Sequence, residues 1–317
     1  MSFSLSAGTD DDGRRLDRLL RKALRDLPLS AIHRLLRQGC VTVNGKKAAA
    51  DRRVREGEII TVTDTVSAAP LRPPRSRGEK PDILFEGSGL LILNKPAGLA
   101  VHGEAGAYTP HLTEQVLSYL APKLPPSLSF RPGPLHRLDK PTSGLIAFSA
   151  SLQGARLFSS MMRERQIKKF YLALVQGSLK EAEVWQDELS RDERQKKTFT
   201  GEDGGGKSKT ARTRVKALAQ NAACTLILAE IETGRSHQIR AQAAARGHPL
   251  LGDKKYGGLP QSSGFLLHAW RMELSERTHF PDMPGLIEAP LPDYFRAKIR
   301  ELFGADALNA LRAHTAN

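Results

Sequence analysis

The sequence predicts an α+β fold: a small N-terminal unit, then a larger domain with a mixed, largely antiparallel sheet flanked by helices. Strand-like segments dominate the chain, many of them adjacent and joined by hairpin turns, and helical segments lie between them. The chain has 317 residues, of which 40% are hydrophobic. That is enough to bury a sizeable core in one large domain or two smaller ones.

Composition favours a polyanionic partner. The formal net charge is +14, which nucleic-acid binding explains most simply, although a basic soluble protein without such a partner shares this property. The two cysteines, Cys40 and Cys224, form neither a metal-ligand pair nor a disulfide pattern, which predicts a reducing compartment. No secretory signal and no run long enough to span a membrane is visible, so we expect a cytoplasmic protein without membrane association.

The N-terminal unit, residues 1–64, is predicted to combine two helices with a few strands. Apolar residues recur at helical spacing over 16–27, and a second helix ends at Gly39. Valines then alternate into Asn44-Gly45, which is a strong hairpin signal, and 59–63 is predicted to be a strand.

This unit resembles the αL RNA-binding module of one small-subunit ribosomal protein, because two short helices precede the sequence Gly-x-Val-x-Val-Asn-Gly-Lys. The resemblance implies that the helix pair lays basic side chains on RNA phosphates. The matching residues are Arg34, Arg37, Lys46 and Lys47. The alternative is that these charges form only the solvated face of a small structural domain.

Residues 65–80 are predicted to form a semi-rigid, basic, proline-rich linker, and residues 81–317 are predicted to form a second domain. The elements predicted in that domain are strands at 83–85 and 90–93, helices at 110–120 and 152–165, a strand at 170–175, an exposed loop or hairpin tip at 191–210, paired strands at 212–218 and 225–231, a helix from 233 to 247, a strand at 266–274 and a helix at 291–303.

The candidate catalytic residue lies in the stretch His-Arg-Leu-Asp-Lys-Pro-Thr-Ser-Gly-Leu at 136–145. Basic neighbours favour the ionised form of Asp139, and the Pro-Thr-Ser-Gly turn with the buried strand after it positions the carboxylate. The stretch resembles the catalytic motif of the RluA family of pseudouridine synthases. Asn94 to Gly98 resembles the family's first motif, in which the loop after a strand supports the catalytic loop. The alternative is a salt-bridged surface aspartate in a β-turn.

The resemblance covers about residues 14–303 and implies isomerisation of specific uridines in RNA to pseudouridine. The C1′–N1 bond breaks and the uracil is rejoined through C5, so no cofactor is implied. Asp139 would be the essential carboxylate, acting either as a nucleophile at C1′ or as a base for the 2′ proton. The motif supplies a single carboxylate, whereas a hydrolase usually needs a second one to activate water.

Further residues match the family around this aspartate. Arg240 would pair with Asp139 and keep it ionised, and Tyr171 would stack on the target uracil. After Gln-Ile-Arg the family commonly has Val-His, whereas this chain has Ala241-Gln242. The alternatives are a helix-surface arginine and a core tyrosine.

Three other candidates would complete the pocket. Leu267 would pack its other side, although a core leucine is nearly as good a description. Arg137 would fill the gap or hold the nucleotide that is pulled from its stack, and Arg235 would meet a phosphate. The N-terminal module together with these motifs is most like the enzymes of large-subunit (23S-type) rRNA, and we expect a monomer.

Two other kinds of site are weakly indicated. Residues 201–208 satisfy the P-loop pattern, but the charged segment before them cannot be a central strand, and a strand is predicted after them. We therefore expect no nucleotide cofactor. No metal site is expected, because the histidines show no ligand pairing at useful spacing: His102, His111, His237, His248 and His268.

The alternative function is a non-catalytic rRNA-binding ribosome-assembly factor on a synthase fold. The intact set of Asp139, Tyr171 and Arg240 favours the enzyme.

Overall fold

The computed structural model describes residues 2–24, 27–63, 80–103, 109–124, 127–128, 130–179, 181–201, 207–262, 264–275 and 280–313. The α-helices are α1 Leu16–Ala23, α2 Leu29–Gln38, α3 Leu112–Leu120, α4 Leu152–Arg163, α5 Gln238–Ala245, α6 Asp293–Phe303 and α7 Asp306–Ala313. The strands are β1 Ser2–Ser6, β2 Val41–Val43, β3 Lys46–Lys47, β4 Ile59–Thr63, β5 Ile83–Gly87, β6 Leu90–Lys95, β7 Gly133–Pro134, β8 Ser143–Ser149, β9 Ile167–Gln176, β10 Ala182–Asp192, β11 Lys197–Thr200, β12 Lys209–Gln220, β13 Cys224–Ile231, β14 Leu267–Leu274 and β15 Leu286–Glu288.

The N-terminal strands form a four-stranded antiparallel sheet in the order β1-β4-β2-β3. Leu16 of α1 and Ile32 of α2 are fully buried in one core with Val41 and Ile60 of the sheet. Asn44 and Gly45 both have positive φ, 48° and 77°, as the primed hairpin turn that joins β2 to β3 requires.

The remaining strands form one eleven-stranded sheet. Its order is β11-β10-β12-β13-β9-β14-β8-β6-β5, with β15 paired to β14 and β7 to β8. Among the described pairings, β8 with β14 is parallel and the others are antiparallel. The predicted mixed, largely antiparallel sheet flanked by helices is therefore confirmed.

The central strand β9 separates two cores, because successive side chains of a strand point to opposite faces. Tyr171 belongs to the larger core, which also holds Phe158 of α4. Leu172 and Leu174 face the other way and pack with Phe295 and Ile299 of α6. Helix α6 therefore covers the sheet face opposite Tyr171.

Two aspartates connect the N-terminal unit to the rest of the chain. Asp11 is fully buried, and its Oδ2 accepts a hydrogen bond of 2.8 Å from the backbone N–H of Leu128. Asp10 accepts one of 3.2 Å from the N–H of Leu152 at the start of α4. Residues 64–79 lie outside the described residues, and they include all of the predicted linker 65–80 except Lys80.

Several predicted helix boundaries were wrong. The helix predicted over 16–27 ends at Ala23, since Leu24 leaves helical geometry with φ −109° and ψ 61°. The helix predicted from 233 begins only at Gln238, because the backbone of His237 is left-handed with φ 54°. Strands β1, β7, β10 and β15 and helix α7 were not predicted from the sequence.

The segment 191–210 is partly ordered into strands. β10 extends to Asp192, β11 covers Lys197–Thr200 and β12 begins at Lys209. Residues 202–206 of the P-loop match lie outside the described residues, but a strand and not a helix follows them, so the match lacks the helix that would cradle a phosphate. Among the helices that the structure describes, none has both the length and the apolar character needed to cross a membrane.

Candidate active site

One cavity of about 590 Å³ contains all six residues proposed for the active site from the sequence. It lies where the loop before β8, the end of α4, β9, the start of β14 and the segment from the end of β13 into α5 meet. Among its lining residues are the six that the sequence proposed: Arg137, Asp139, Tyr171, Arg235, Arg240 and Leu267. The structure thus brings them together, while the role of each stays a prediction.

The loop that carries Asp139 is fixed by a turn and by a buried lysine. The backbone N–H of Thr142 donates to the Asp139 carbonyl at 3.0 Å, so the turn spans residues 139–142, earlier than the Pro-Thr-Ser-Gly turn predicted from the sequence. Lys95, fully buried at the end of β6, donates from Nζ to the carbonyls of Pro96, Leu99 and Lys140. The loop after β6 therefore supports the Asp139 loop, as the motif at 94–98 predicted.

Gly144 explains why the motif needs a glycine after Ser143. Its φ is +103°, and a Cβ at this position would lie 2.1 Å from the carbonyl oxygen of Ala269. Only glycine allows β8 to approach β14 this closely. In this structure the glycine serves the parallel pairing of β8 with β14.

Arg240 connects the Asp139 carboxylate to a second, fully buried carboxylate. Its Nη1 lies 2.7 Å from Asp139 Oδ2, and its Nε and Nη2 bind Asp253 at 2.6 and 2.9 Å. The guanidinium also lies against the rings of Tyr256 and Phe265, 4.9 and 4.3 Å from their centroids. Burial alone would lower the pKa of Arg240, but Asp253 and Asp139 raise it above its usual value.

His237 is the other polar neighbour of Asp139. Its Nε2 lies 3.7 Å from Asp139 Oδ2, and its Nδ1 lies 2.9 Å from the Tyr256 hydroxyl. Burial lowers the pKa of His237 to about 4, although the charge of Asp139 acts in the opposite direction. The imidazole is therefore neutral at pH 7, and Arg240 supplies the positive charge beside the carboxylate.

Tyr171 and Leu267 form the apolar part of the cavity. Tyr171 is 7% exposed and Leu267 is 6% exposed, and both line the space in front of Asp139. Burial, followed by the charge of Asp139, raises the pKa of the Tyr171 hydroxyl well above its usual value. An aromatic face and an aliphatic side chain can hold a planar base between them.

Two basic side chains that line the cavity are exposed, and His136 precedes one of them in the chain. Arg137 is exposed beside Asp139, and Arg235 is exposed with its Nε donating to the carbonyl of Thr210 at 3.0 Å. His136 braces the loop, since its Nε2 accepts the backbone N–H of Ala147 at 3.0 Å. Burial lowers the pKa of His136 to about 3, so it is neutral.

The four residues proposed for RNA contact in the N-terminal unit lie on its surface. Arg34 and Arg37 are exposed on α2, and Lys46 and Lys47 are exposed on β3. The Lys47 side chain lies directly over Gly39. A Cβ atom added to Gly39 would be only 2.5 Å from Lys47 Cε. The second lysine of β3 is therefore held close to the end of α2.

Three polar residues of the site were not predicted from the sequence. Asp253 is one of them, and His237, which the sequence suggested only as a possible metal ligand, is another. Lys169, which is 8% exposed and lines the cavity, was also missed although it stands two residues before Tyr171 on the same strand face. A carboxylate after the apolar pair Leu250-Leu251 was the signal available for Asp253, since such a group needs a buried partner.

Gln242 occupies the position where the family commonly has histidine. Its side chain is fully buried; its Oε1 accepts from Thr213 at 2.6 Å and its Nε2 donates to Asp187 at 2.7 Å. The substitution therefore falls in a network that joins α5 to the sheet. In the described part of the chain, no group of three or more histidine, cysteine or acidic side chains is placed to hold a metal ion.

Matches to two family models define the class of protein. Residues 89–245 match the model described as RNA pseudouridylate synthase, and residues 14–60 match the S4 domain. The synthase match includes Asp139, Tyr171 and Arg240. The S4 match includes both helices of the N-terminal unit.

The relatives that resemble this chain carry the same description. It is 33% identical to ribosomal large subunit pseudouridine synthase D of Nitrosomonas europaea, over 92% of this chain and 85% of that protein. It is also 33% identical to ribosomal large subunit pseudouridine synthase C of Vibrio cholerae, over 78% of this chain and 79% of the relative. The chain belongs to the RluA family of RNA pseudouridine synthases, which are isomerases.

A solved structure supports the fold. The human protein RNA Pseudouridylate Synthase Domain Containing 1 superposes with a TM-score of 0.55 at 22% identity, covering 74% of this chain and 96% of that one. The observed architecture, an S4 domain followed by a pseudouridine synthase fold, is the one that the sequence predicted.

Proposed function

We propose that this protein converts specific uridines of large-subunit ribosomal RNA to pseudouridine and that Asp139 is its essential catalytic carboxylate. The observation that carries the proposal is the position of Asp139: it borders a cavity of about 590 Å³, its side chain is 15% exposed, and Arg240 binds it at 2.7 Å. A carboxylate held in this way can attack C1′ or take the 2′ proton.

The cavity walls suit a uracil. Its ring would stack on Tyr171, with Leu267 packing the other side. A uridine inside folded RNA must be extruded from its stack to enter. Arg137 at the mouth would hold the extruded nucleotide or fill the space it leaves, and Arg235 would bind a phosphate.

The choice of large-subunit rRNA rests on two observations. The relatives from Nitrosomonas europaea and Vibrio cholerae are named for the ribosomal large subunit, and an S4 domain precedes the synthase domain here. We assign residues 1–64 to RNA binding, 65–80 to a linker and 81–317 to catalysis. Arg34, Arg37, Lys46 and Lys47 would contact the RNA backbone of the same substrate.

Mapping of pseudouridines in large-subunit rRNA tests this function. A strain that lacks the protein should lose one or a few pseudouridines, and the parent gene should restore them. If the rRNA of the strain keeps every pseudouridine while a tRNA loses one, the substrate assignment is wrong. If no RNA of the strain loses a pseudouridine, the proposed reaction is wrong, and a role in ribosome assembly becomes the better account.

A further inference from the structure

A second cavity, of about 400 Å³, continues the first one over the ends of three strands. Met162, Lys169, Ile231 and Glu232 line both cavities. The second one lies where β9 begins, β13 ends and β12 begins, so these three neighbouring strands contribute residues from the same end of the sheet. Any chain-like ligand bound at Asp139 can therefore extend into it.

Three arginines meet at one carboxylate in this second cavity. Glu232 Oε2 lies 3.0 Å from Arg212 Nη1 and 3.6 Å from Arg165 Nη1, and Oε1 lies 2.8 Å from Arg214 Nε. The Glu232 side chain is 10% exposed. Glu232 thus positions the three guanidinium groups, which reduces the conformational entropy they would lose on binding an anion.

The cluster has more positive than negative charge. Five cationic side chains line the second cavity, namely Arg165, Lys168, Lys169, Arg212 and Arg214, against two carboxylates, Glu230 and Glu232. Arg165 and Arg214 are 69% and 54% exposed, so their guanidinium groups are open to a ligand from solvent. A self-contained ion-pair network needs no such excess, whereas an anion would use the unoccupied donors.

We propose that Arg165, Arg212 and Arg214, positioned by Glu232, form a subsite for the phosphodiester backbone of the RNA nucleotides adjacent to the target uridine. The proposal rests on the proposed function, because RNA is the anion. One guanidinium group can donate two parallel hydrogen bonds to two oxygens of a phosphate. The contact reads backbone position and not base identity, so it fixes the strand that enters the active site without selecting its sequence.

The double variant Arg165→Gln/Arg214→Gln tests the subsite, because both side chains are exposed and glutamine keeps much of their length. Arg300→Gln is the matched control: Arg300 is exposed on α6, across the sheet from Tyr171. Binding of a large-subunit rRNA fragment that the parent binds is measured at several salt concentrations, and KM and kcat are measured where the parent modifies it.

The double variant should bind about tenfold more weakly at 0.1 M salt, and its slope of log K against log salt should fall by about 1.4, since each lost single-strand phosphate contact removes about 0.7. KM should rise more than kcat falls. The control Arg300→Gln should match the parent in affinity, in salt slope, in KM and in kcat. A slope equal to that of the parent would overturn the subsite. Arg165→Gln alone, with an expected fall of about 0.7, replaces the double variant if the latter unfolds at lower temperature.

Failure of the subsite can be told from failure of the function. If the parent isomerises the RNA but the variant keeps the parent's affinity and slope, only the subsite is wrong. If the parent binds RNA without forming pseudouridine and the variant still loses slope, the subsite stands and the proposed reaction is wrong.

Discussion

Arg240 places its Nη1 2.7 Å from Oδ2 of Asp139 and uses its other two nitrogens to bind the buried Asp253. The aspartate that borders the cavity is therefore oriented by a guanidinium that is itself fixed, through a forked pair and two aromatic rings. Asp253 has a 1% exposed side chain and stands behind Arg240, so it positions the arginine and is not a second carboxylate available to activate water.

Asp253→Asn should lower kcat by about 10- to 100-fold with a smaller change in KM. Asparagine keeps the shape of aspartate but can accept only one of the two hydrogen bonds that Arg240 donates to Asp253. Steady-state kinetics on a modified RNA fragment measures both. Asp187→Asn is the control, since Asp187 pairs with Arg246 at 2.9 Å and does not line either cavity. A kcat for Asp253→Asn equal to that of Asp187→Asn would show that Asp253 has only a structural role.

Tyr171→Phe and Tyr171→Ala separate the ring from the hydroxyl. The hydroxyl of Tyr171 makes no hydrogen bond within the described part of the chain, so phenylalanine should keep kcat/KM within about tenfold of the parent. Alanine should lose roughly 5- to 150-fold, which corresponds to the about 1–3 kcal/mol that base stacking on an aromatic ring contributes. Equal losses in both variants would mean that the hydroxyl, and not the stacking face, is what the reaction requires.

The lowered pKa of Lys169 predicts that RNA binding depends on pH. Burial lowers the pKa of Lys169 to about 8, so the side chain is a cation at pH 7 and largely neutral at pH 9. If the cation binds a phosphate, the affinity present below this pKa is lost as pH rises through it. The parent's affinity, measured by titration at pH 7 and pH 9, should fall severalfold. Lys169→Met should be weak at both values, and an equal fall in this variant would exclude Lys169 as the cause.

The N-terminal unit should contribute phosphate contacts of its own. Replacing Arg34, Arg37, Lys46 and Lys47 together by glutamine should lower the slope of log K against log salt by about 0.7–0.9 for each contact that is lost. Their side chains are exposed, so the fold should be kept. The same four-residue variant should retain most of its kcat at saturating RNA, and an unchanged slope would remove this surface from the RNA-binding account.

The sequence was most informative where function depends on consecutive residues. The stretch 136–145 predicted the carboxylate, the strand after it and the family, and Asn44-Gly45 predicted a hairpin turn that the structure confirms. Local patterns were less reliable at helix ends. His237 adopts a left-handed backbone, which the helical pattern around it did not indicate, so α5 begins later than predicted.

Contacts between distant residues could not be predicted in the same way. Asp253 reaches Arg240 only because the loop after α5 returns to the sheet. Glu232 gathers three arginines only because the register of β9, β12 and β13 brings their ends together. Such arrangements depend on tertiary packing, and one sequence contains no signal for them beyond the need of a buried charge for a partner.

Tritium release from RNA labelled at C5 of uridine, with purified parent protein and Asp139→Asn, tests the central claim most directly. Isomerisation displaces the C5 hydrogen, so the parent should release tritium, while Asp139→Asn should release none above background. The variant should still bind the RNA, because the substitution changes charge more than shape, and Asp187→Asn should remain active. Release by Asp139→Asn at the rate of the parent would contradict the assignment of Asp139 as the essential carboxylate.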